Sequence, residues 1–122
     1  MTERKVLLVE DEFLIRLVLA EVLSDAGYVV TAAVTADEAA SLLDGAGTFD
    51  VVVTDIQTPG QLDGIGLARR VRQRDPDMRV VFMTGRPDAM RSAGKLGPRD
   101  AFIAKPYGPS DVVRTLDRLL AS

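Results

Sequence analysis

The sequence predicts an α/β fold in which five parallel strands form one doubly wound sheet, and three observations support this prediction. Five short apolar runs recur along the 122 residues. Helical stretches with one apolar face separate these runs, and strands that alternate with helices are typical of parallel sheets. The apolar runs are continuous, which indicates that helices cover both faces of the sheet. The length suits one domain, and we expect that domain to take in residues 1–122.

The five predicted strands are short runs dominated by Val, Ile, Leu, Phe and Ala. They are Lys5–Val9, Tyr28–Ala33, Val51–Thr54, Arg79–Met83 and Ala101–Ala104. Right-handed crossovers between consecutive strands place helices on both sides of such a sheet. The carboxyl ends of the strands then meet at one edge, where ligands bind in this type of fold.

Apolar residues at helical spacing, together with capping residues, predict the helices between the strands. The first predicted helix covers residues 14–26, and the second opens with a capping box of Thr35 and Glu38 and runs through Leu43. The third covers Gly64–Arg74, and a short or irregular fourth helix is expected around Asp88–Lys95. Ser110 is predicted to cap the last helix. The segment between the fourth and fifth strands is rich in Gly and Pro, so its helix has the weakest pattern.

The composition excludes several kinds of chemistry. The chain has no cysteine, so disulfides and thiolate metal sites are excluded, and it has no histidine, so it can hold neither a Ser-His-Asp triad nor a phosphohistidine. The net charge is −3 without a basic cluster, and we therefore expect no direct nucleic-acid partner. The apolar runs are too short for a membrane span, and we expect a cytoplasmic protein.

Polar side chains follow four of the predicted strands at their carboxyl ends. They are Glu10, Asp11 and Glu12 after the first strand, Asp55 after the third, Thr84 after the fourth and Lys105 after the fifth. Each alone has an ordinary explanation as a helix cap or a solvated side chain. Together they place four acids, a hydroxyl and an ammonium at one sheet edge. The turn after the first strand has no glycine to receive phosphate directly, whereas its carboxylates favour Mg²⁺.

With these residues in this order, the chain resembles the receiver domain of two-component response regulators. The motifs that carry the resemblance are Glu10-Asp11, Asp55 with the following Pro59-Gly60 and Asp63-Gly64, Thr84 after an apolar strand, and Lys105-Pro106-Tyr107. The resemblance covers nearly the full length. It implies a flavodoxin-like (βα)5 fold with strand order 2-1-3-4-5. It also implies a function in phosphorelay signal transduction.

The resemblance further implies a role for each site residue. Asp55 would be the phosphoacceptor, and Mg²⁺ would be held by Glu10, Asp11, Asp55 and the backbone carbonyl of Gln57. Thr84 would hydrogen-bond the phosphoryl group, Lys105 would pair with it, and Thr84 and Phe102 would form a conformational switch. The Lys105–Pro106 peptide bond would be cis.

As such a module, the chain would be no classical enzyme, because it would catalyse only its own Mg²⁺-dependent phosphorylation and dephosphorylation. The implied partners are a histidine kinase or a histidine phosphotransfer protein, and an output protein that the sequence does not identify. We expect no membrane partner, and we expect a monomer or a weak homodimer.

Three other interpretations fit parts of the sequence. A phosphatase of the haloacid-dehalogenase class needs a second Asp two residues after the first, but that position holds Gln57. A flavodoxin-like cofactor binder would stack aromatic rings on a flavin, but the chain has no Trp and only two Tyr. A receiver-like docking module that signals without phosphorylation remains the alternative, although the set Asp11, Asp55, Thr84 and Lys105 is intact. One departure from the family pattern is the loop Pro59–Asp63, which is one residue longer than usual.

Overall fold

The structure is a computed structural model that describes residues 3–45, 47–86, 88 and 97–121. Its strands are β1 (Arg4–Val9), β2 (Tyr28–Ala33), β3 (Val51–Asp55), β4 (Arg79–Thr84) and β5 (Asp100–Ala104). All neighbouring pairs are parallel, and the strand order is β2-β1-β3-β4-β5. This order confirms the predicted flavodoxin-like sheet.

Four helices are described, and each lies where the sequence pattern predicts one. They are α1 (Phe13–Asp25), α2 (Ala36–Asp44), α3 (Gly64–Arg74) and α4 (Pro109–Leu119). The helix predicted around Asp88–Lys95 falls outside the described residues except for Asp88. No helix in the described ranges is long and apolar enough to cross a lipid bilayer.

Two apolar cores lie on opposite faces of the sheet, because successive strand residues point to opposite sides. Leu7 and Val52 belong to one core, together with buried residues of α2 and α3. Val6 and Leu8 belong to the other, together with buried residues of α1 and α4. The sheet is therefore covered on both faces, as its continuous apolar runs predict.

The helix starts show one correct and one wrong prediction. The hydroxyl of Thr35 accepts a hydrogen bond of 3.1 Å from the Glu38 amide, so Thr35 caps α2 as predicted. Among the described residues, the return hydrogen bond of a capping box, from the Thr35 amide to the Glu38 side chain, is not found. The prediction that Ser110 caps the last helix is wrong, because α4 already begins at Pro109 and its N-cap is Gly108. Pro109 suits the first helical position, since it lacks the N–H that would have no partner there. The carboxylate of Asp111 accepts a hydrogen bond of 2.7 Å from the Gly108 amide.

The strands β3 and β4 each run one residue further than predicted. Asp55 and Thr84 are their last residues, rather than the first residues of the loops. Asp55 pairs with Met83 in the ladder, and the next amide, that of Ile56, donates to the Met83 carbonyl at 2.9 Å. The backbone of both polar residues is therefore held by the sheet itself.

Candidate functional site

The centre of the site is a buried carboxylate at the carboxyl end of the middle strand. Asp55 is 3% exposed, and the strand residues before it are buried. Its Oδ1 atom lies 2.8 Å from Nζ of Lys105, which follows β5. The two groups form an ion pair without the alignment of a hydrogen bond. Lys105, which could have been an isolated solvated cation, thus faces the candidate phosphoacceptor directly.

A cluster of three carboxylates adjoins Asp55. Glu10 and Asp11 follow β1, and one oxygen from each of Glu10, Asp11 and Asp55 lies within 4.8 Å of the others. Glu10 is 1% exposed, and within the described ranges its Oε1 atom is buried without a hydrogen-bond partner. A buried carboxylate oxygen without a partner is costly unless a cation neutralises it. The donor set therefore fits a hard divalent cation such as Mg²⁺.

Glu12, the third predicted acid, stands apart from this cluster. It occupies the N-cap position of α1, but its side chain makes no capping hydrogen bond. Its amide donates to Oε2 of Glu10 at 3.1 Å, which orients the Glu10 carboxylate. The backbone of Glu12 thus contributes to the site, while its carboxylate lies exposed.

The ionisable groups of the site perturb one another. Burial, the largest cause, and the neighbouring Asp55 carboxylate together raise the pKa of Glu10 to about 8, although the amide of Glu12 and the charge of Lys105 oppose this rise. Burial lowers the pKa of Lys105, but the adjacent Asp55 carboxylate outweighs this and the net shift is upward. Burial, followed by the charge of Asp55, also raises the pKa of Tyr107. The site thus holds more negative charge than Lys105 can balance, which is the condition under which a cation binds.

Thr84 lies at the end of β4, and its hydroxyl already has two partners. It donates to Oε1 of Gln57 at 2.9 Å and accepts from the amide of Arg86 at 3.0 Å. In the sequence, Gln57 stands where a phosphatase would need a second acid, and the resemblance implies that its backbone carbonyl binds the metal. Its side-chain contact with Thr84 was not predicted, since 27 residues separate the two in the chain.

The remaining predicted residues lie on or after β5. Phe102 is partly buried and packs against the core that α2 and α3 cover. It pairs with Phe82 in the β4–β5 ladder. The peptide bond between Lys105 and Pro106 is cis, as the resemblance implies.

The comparison with protein families agrees with this geometry. Residues 6–117 match the family model described as "Response regulator receiver domain". The chain belongs to this family. As a receiver domain of two-component systems, it functions in phosphorelay signal transduction, and its family is one of phosphoacceptor modules rather than classical enzymes.

Individual relatives of this receiver domain cover most of its length. It is 35% identical over 120 residues to the "Response regulator receiver protein CpdR" of Brucella abortus, which is 96% of this chain and 97% of CpdR. It is 32% identical over 117 residues to the "Sensor kinase CckA" of the same organism, which is 94% of this chain but 12% of CckA. The structure also superimposes on the crystal structure of a response regulator receiver protein from Sinorhizobium medicae with a TM-score of 0.89 at 30% sequence identity. The match covers 98% of this chain and 96% of the Sinorhizobium medicae chain.

Two further residues support the receiver site, although the sequence analysis assigns neither of them a role. Arg16, on the first turn of α1, donates to the backbone carbonyls of Glu10 at 3.0 Å and Asp11 at 3.4 Å, and so braces the acidic turn. Gly64 approaches the backbone of Asp55 so closely that an added Cβ atom would overlap the Asp55 carbonyl. The Asp63-Gly64 motif points to Gly64, whereas no local pattern points to Arg16.

Proposed function

We propose that Asp55 accepts a phosphoryl group and that this receiver domain thereby switches the activity of a partner protein. One observation carries the proposal: a buried carboxylate at the end of the central strand faces an ammonium on one side and an acidic pair on the other. Phosphoryl transfer needs an aligned nucleophile and positive charge around the phosphoryl oxygens. Asp55 and Lys105 supply these two requirements.

The proposed step is an in-line displacement at phosphorus. A carboxylate oxygen of Asp55 forms the new P–O bond, while the bond from phosphorus to the donor breaks and the leaving group keeps the electron pair. Lys105 pairs with a phosphoryl oxygen, and the Thr84 hydroxyl donates to another. Because the chain has no histidine, the phosphohistidine must belong to the partner. Hydrolysis of the acyl phosphate by water returns Asp55 to its carboxylate form.

The proposal includes a resident Mg²⁺ ion, for which the carboxylates provide suitable donors. Glu10, Asp11 and Asp55 would hold it together with the backbone carbonyl of Gln57, and it would neutralise charge on the phosphoryl group. Few protein ligands and several waters suit Mg²⁺, which gives up its water shell reluctantly. We therefore expect modest affinity in the unphosphorylated protein.

The conformational part of the proposal links Thr84 to Phe102. In the structure the Thr84 hydroxyl donates to Gln57, so it must leave this partner to bind a phosphoryl group on Asp55. That movement frees space behind β4 into which the half-buried ring of Phe102 can turn. A phosphoryl group that stabilises the second arrangement shifts the population towards it.

The partners and the extent of the domain complete the proposal. We infer that a histidine kinase or a histidine phosphotransfer protein phosphorylates Asp55 and that a separate output protein responds. The match to a segment of a sensor kinase supports the pairing of such receiver domains with kinases. We propose that the domain takes in residues 1–122 and acts in the cytoplasm as a monomer or weak homodimer. Cell fractionation tests the cytoplasmic location, and sedimentation velocity tests whether the protein is a monomer or a weak homodimer.

The decisive experiment is Asp55→Asn, which keeps the shape of the side chain but removes the nucleophile. Wild-type protein incubated with acetyl phosphate and Mg²⁺ should gain one phosphoryl group by intact mass, and Asp55→Asn should gain none. Asp25→Asn, at the exposed end of α1, is the matched control and should label as the wild type does. Equal labelling of Asp55→Asn would overturn the assignment. A wild type that never labels would favour the docking module that works without phosphorylation.

A further inference from the structure

Hydrogen bonds hold the loop between β3 and α3 at its base and at its apex. At the base, the amide of Gly64 donates to the carbonyl of Ile56 at 2.8 Å. Within the loop, the hydroxyl of Thr58 donates to the carbonyl of Leu62 at 3.0 Å. Gln57 is the second residue of this loop, and the proposed function makes it a cation ligand. Its geometry therefore bears directly on the cation site.

The apex of this loop rests on a carboxylate from another element. The amide of Gln61 donates to Oδ2 of Asp37 at 2.9 Å. The preceding residue, Gly60, has a φ of +104°, which favours glycine. A Cβ atom added to Gly60 would overlap Oδ2 of Asp37. Two separate features, a hydrogen bond and a close approach, thus bring the same carboxylate to the apex.

Asp37 is well placed to serve as a fixed support. It lies in the first turn of α2, where a negative charge is stabilised by the helix dipole. The residues around it on the helix, Ala36, Ala39 and Ala40, are buried in the core against the sheet. The position of the Asp37 backbone is therefore set by the core, independently of the loop.

We propose that Asp37 is a positioning residue that orders the β3–α3 loop so that Gln57 is presented to the cation beside Asp55. This inference rests on the proposed function, because it assumes that the Gln57 carbonyl binds Mg²⁺. A loop that is ordered before the cation arrives loses less conformational entropy on binding. The contact is made by Gln61, which lies within the loop segment Pro59–Asp63.

The consequence is a measurable change in Mg²⁺ affinity. Asp37→Ala removes the acceptor, and the loss of one hydrogen bond is expected to weaken Mg²⁺ binding about three- to tenfold. Asp37→Asn keeps an oxygen acceptor without the charge and should recover most of the affinity. Glu38→Ala is the matched control, because it removes the same charge one residue later from an exposed side chain.

The experiment uses the full chain in these four forms. Isothermal titration with MgCl₂ gives the affinity, and amide hydrogen exchange by NMR in EDTA reports on the Gln61 N–H without any metal. We expect Gln61 to be protected in the wild type, Asp37→Asn and Glu38→Ala, and to exchange several-fold faster in Asp37→Ala. Wild-type affinity in Asp37→Ala would overturn the inference. The inference would also be overturned if Asp37→Asn and Glu38→Ala weakened Mg²⁺ binding equally. The loss of negative charge, rather than the position of Asp37, would then explain the lower affinity.

The same set of proteins separates this inference from the proposed function. If the wild type binds no Mg²⁺ and is not labelled by acetyl phosphate, the proposed function fails. If the wild type binds Mg²⁺ and is labelled, but Asp37→Ala leaves both the affinity and the Gln61 exchange rate unchanged, only the role of Asp37 fails.

Discussion

At the scale of single residues, the site has an excess of negative charge, and the fold keeps the charged groups close together. Glu10 and Asp55 are both almost fully buried, and Lys105 is the ammonium that faces them. The raised pKa of Glu10 is a consequence of this excess charge and of burial, because both disfavour the charged form of its carboxylate. A cation that binds between the carboxylates removes the imbalance. The proposed ligand side chains should therefore differ sharply from nearby acids in their effect on metal affinity.

Asp11→Ala should weaken Mg²⁺ binding by about tenfold or more, since even outer-shell partners of a bound metal contribute about 10- to 100-fold. Asp11 belongs to the carboxylate cluster, and its exposed position allows the ion to keep water ligands. Glu12→Ala is the control, because the Glu12 carboxylate is outside the cluster, and it should bind Mg²⁺ nearly as the wild type does. Titration calorimetry measures both affinities. Equal losses in the two variants would mean that general negative charge, rather than ligation, attracts the ion.

At the scale of single elements, α1 has two distinct faces. Leu19 and Leu23 are buried against the sheet, whereas Phe13, Leu14 and Leu17 are more than half exposed. Position on the helix, rather than residue type, decides which leucines stabilise the fold. Two substitutions two residues apart should therefore have very different effects.

Leu19→Ala should lower the free energy of unfolding by about 2–5 kcal/mol, because it leaves a cavity beneath α1. Leu17→Ala, at a residue that is 52% exposed, should change it by no more than about 0.5 kcal/mol. Urea unfolding followed by circular dichroism measures both. Similar losses in the two variants would contradict the described orientation of α1.

In the proposed switch, the conformational change depends on the strand pair β4–β5. Activation by beryllofluoride with Mg²⁺ should then change the hydrogen exchange of the β5 segment Asp100–Ala104, because Thr84 and Phe102 would move together. Thr84→Ala should still bind beryllofluoride but lose most of this change, since no hydroxyl remains to be drawn towards Asp55. Hydrogen exchange measured by mass spectrometry with and without beryllofluoride tests this. A full response in Thr84→Ala would mean that Phe102 is a fixed core residue, which its contact with the core also permits.

At the scale of the whole molecule, a side-chain hydrogen bond joins the edge strand β2 to α4. The hydroxyl of Tyr28, the first residue of β2, donates to Oδ1 of Asp117 in α4 at 2.5 Å. Burial and the Asp117 carboxylate raise the pKa of Tyr28 above its usual range. A raised pKa means that the folded protein keeps the phenol proton more tightly than the unfolded chain does. The resulting stabilisation is present below about pH 10 and is lost as the pH rises further.

Tyr28→Phe should therefore alter the pH dependence of stability. At pH 8 the variant should be less stable by about 1 kcal/mol, the net contribution of a typical hydrogen bond. Above pH 10 the wild type should lose stability faster than the variant, by no more than about 1.4 kcal/mol per pH unit. Tyr107 has a raised pKa in both proteins, so its contribution cancels in the comparison. Urea unfolding at pH 8, 10 and 11 provides the test, and parallel pH profiles would contradict it.

The architecture and most of the site can be predicted from the sequence, because they follow from short-range patterns. Apolar runs and helical periodicity located every described strand and helix to within about one or two residues. The carboxyl ends of parallel strands must share one edge, so the convergence of Asp11, Asp55, Thr84 and Lys105 followed from their positions after four strands. The start of α4 was placed wrongly, since Ser110 and Gly108 are both acceptable caps and only the backbone path distinguishes them.

The contacts between side chains that are distant in the sequence are visible only in the folded protein. Asp37 and Gln61 are 24 residues apart, Thr84 and Gln57 are 27 apart, and Tyr28 and Asp117 are 89 apart. No local pattern encodes such contacts, because they depend on how each helix lies on the sheet and on the path of each loop. The raised pKa of Glu10 has the same origin, since burial and the proximity of Asp55 exist only once β1 and β3 are paired.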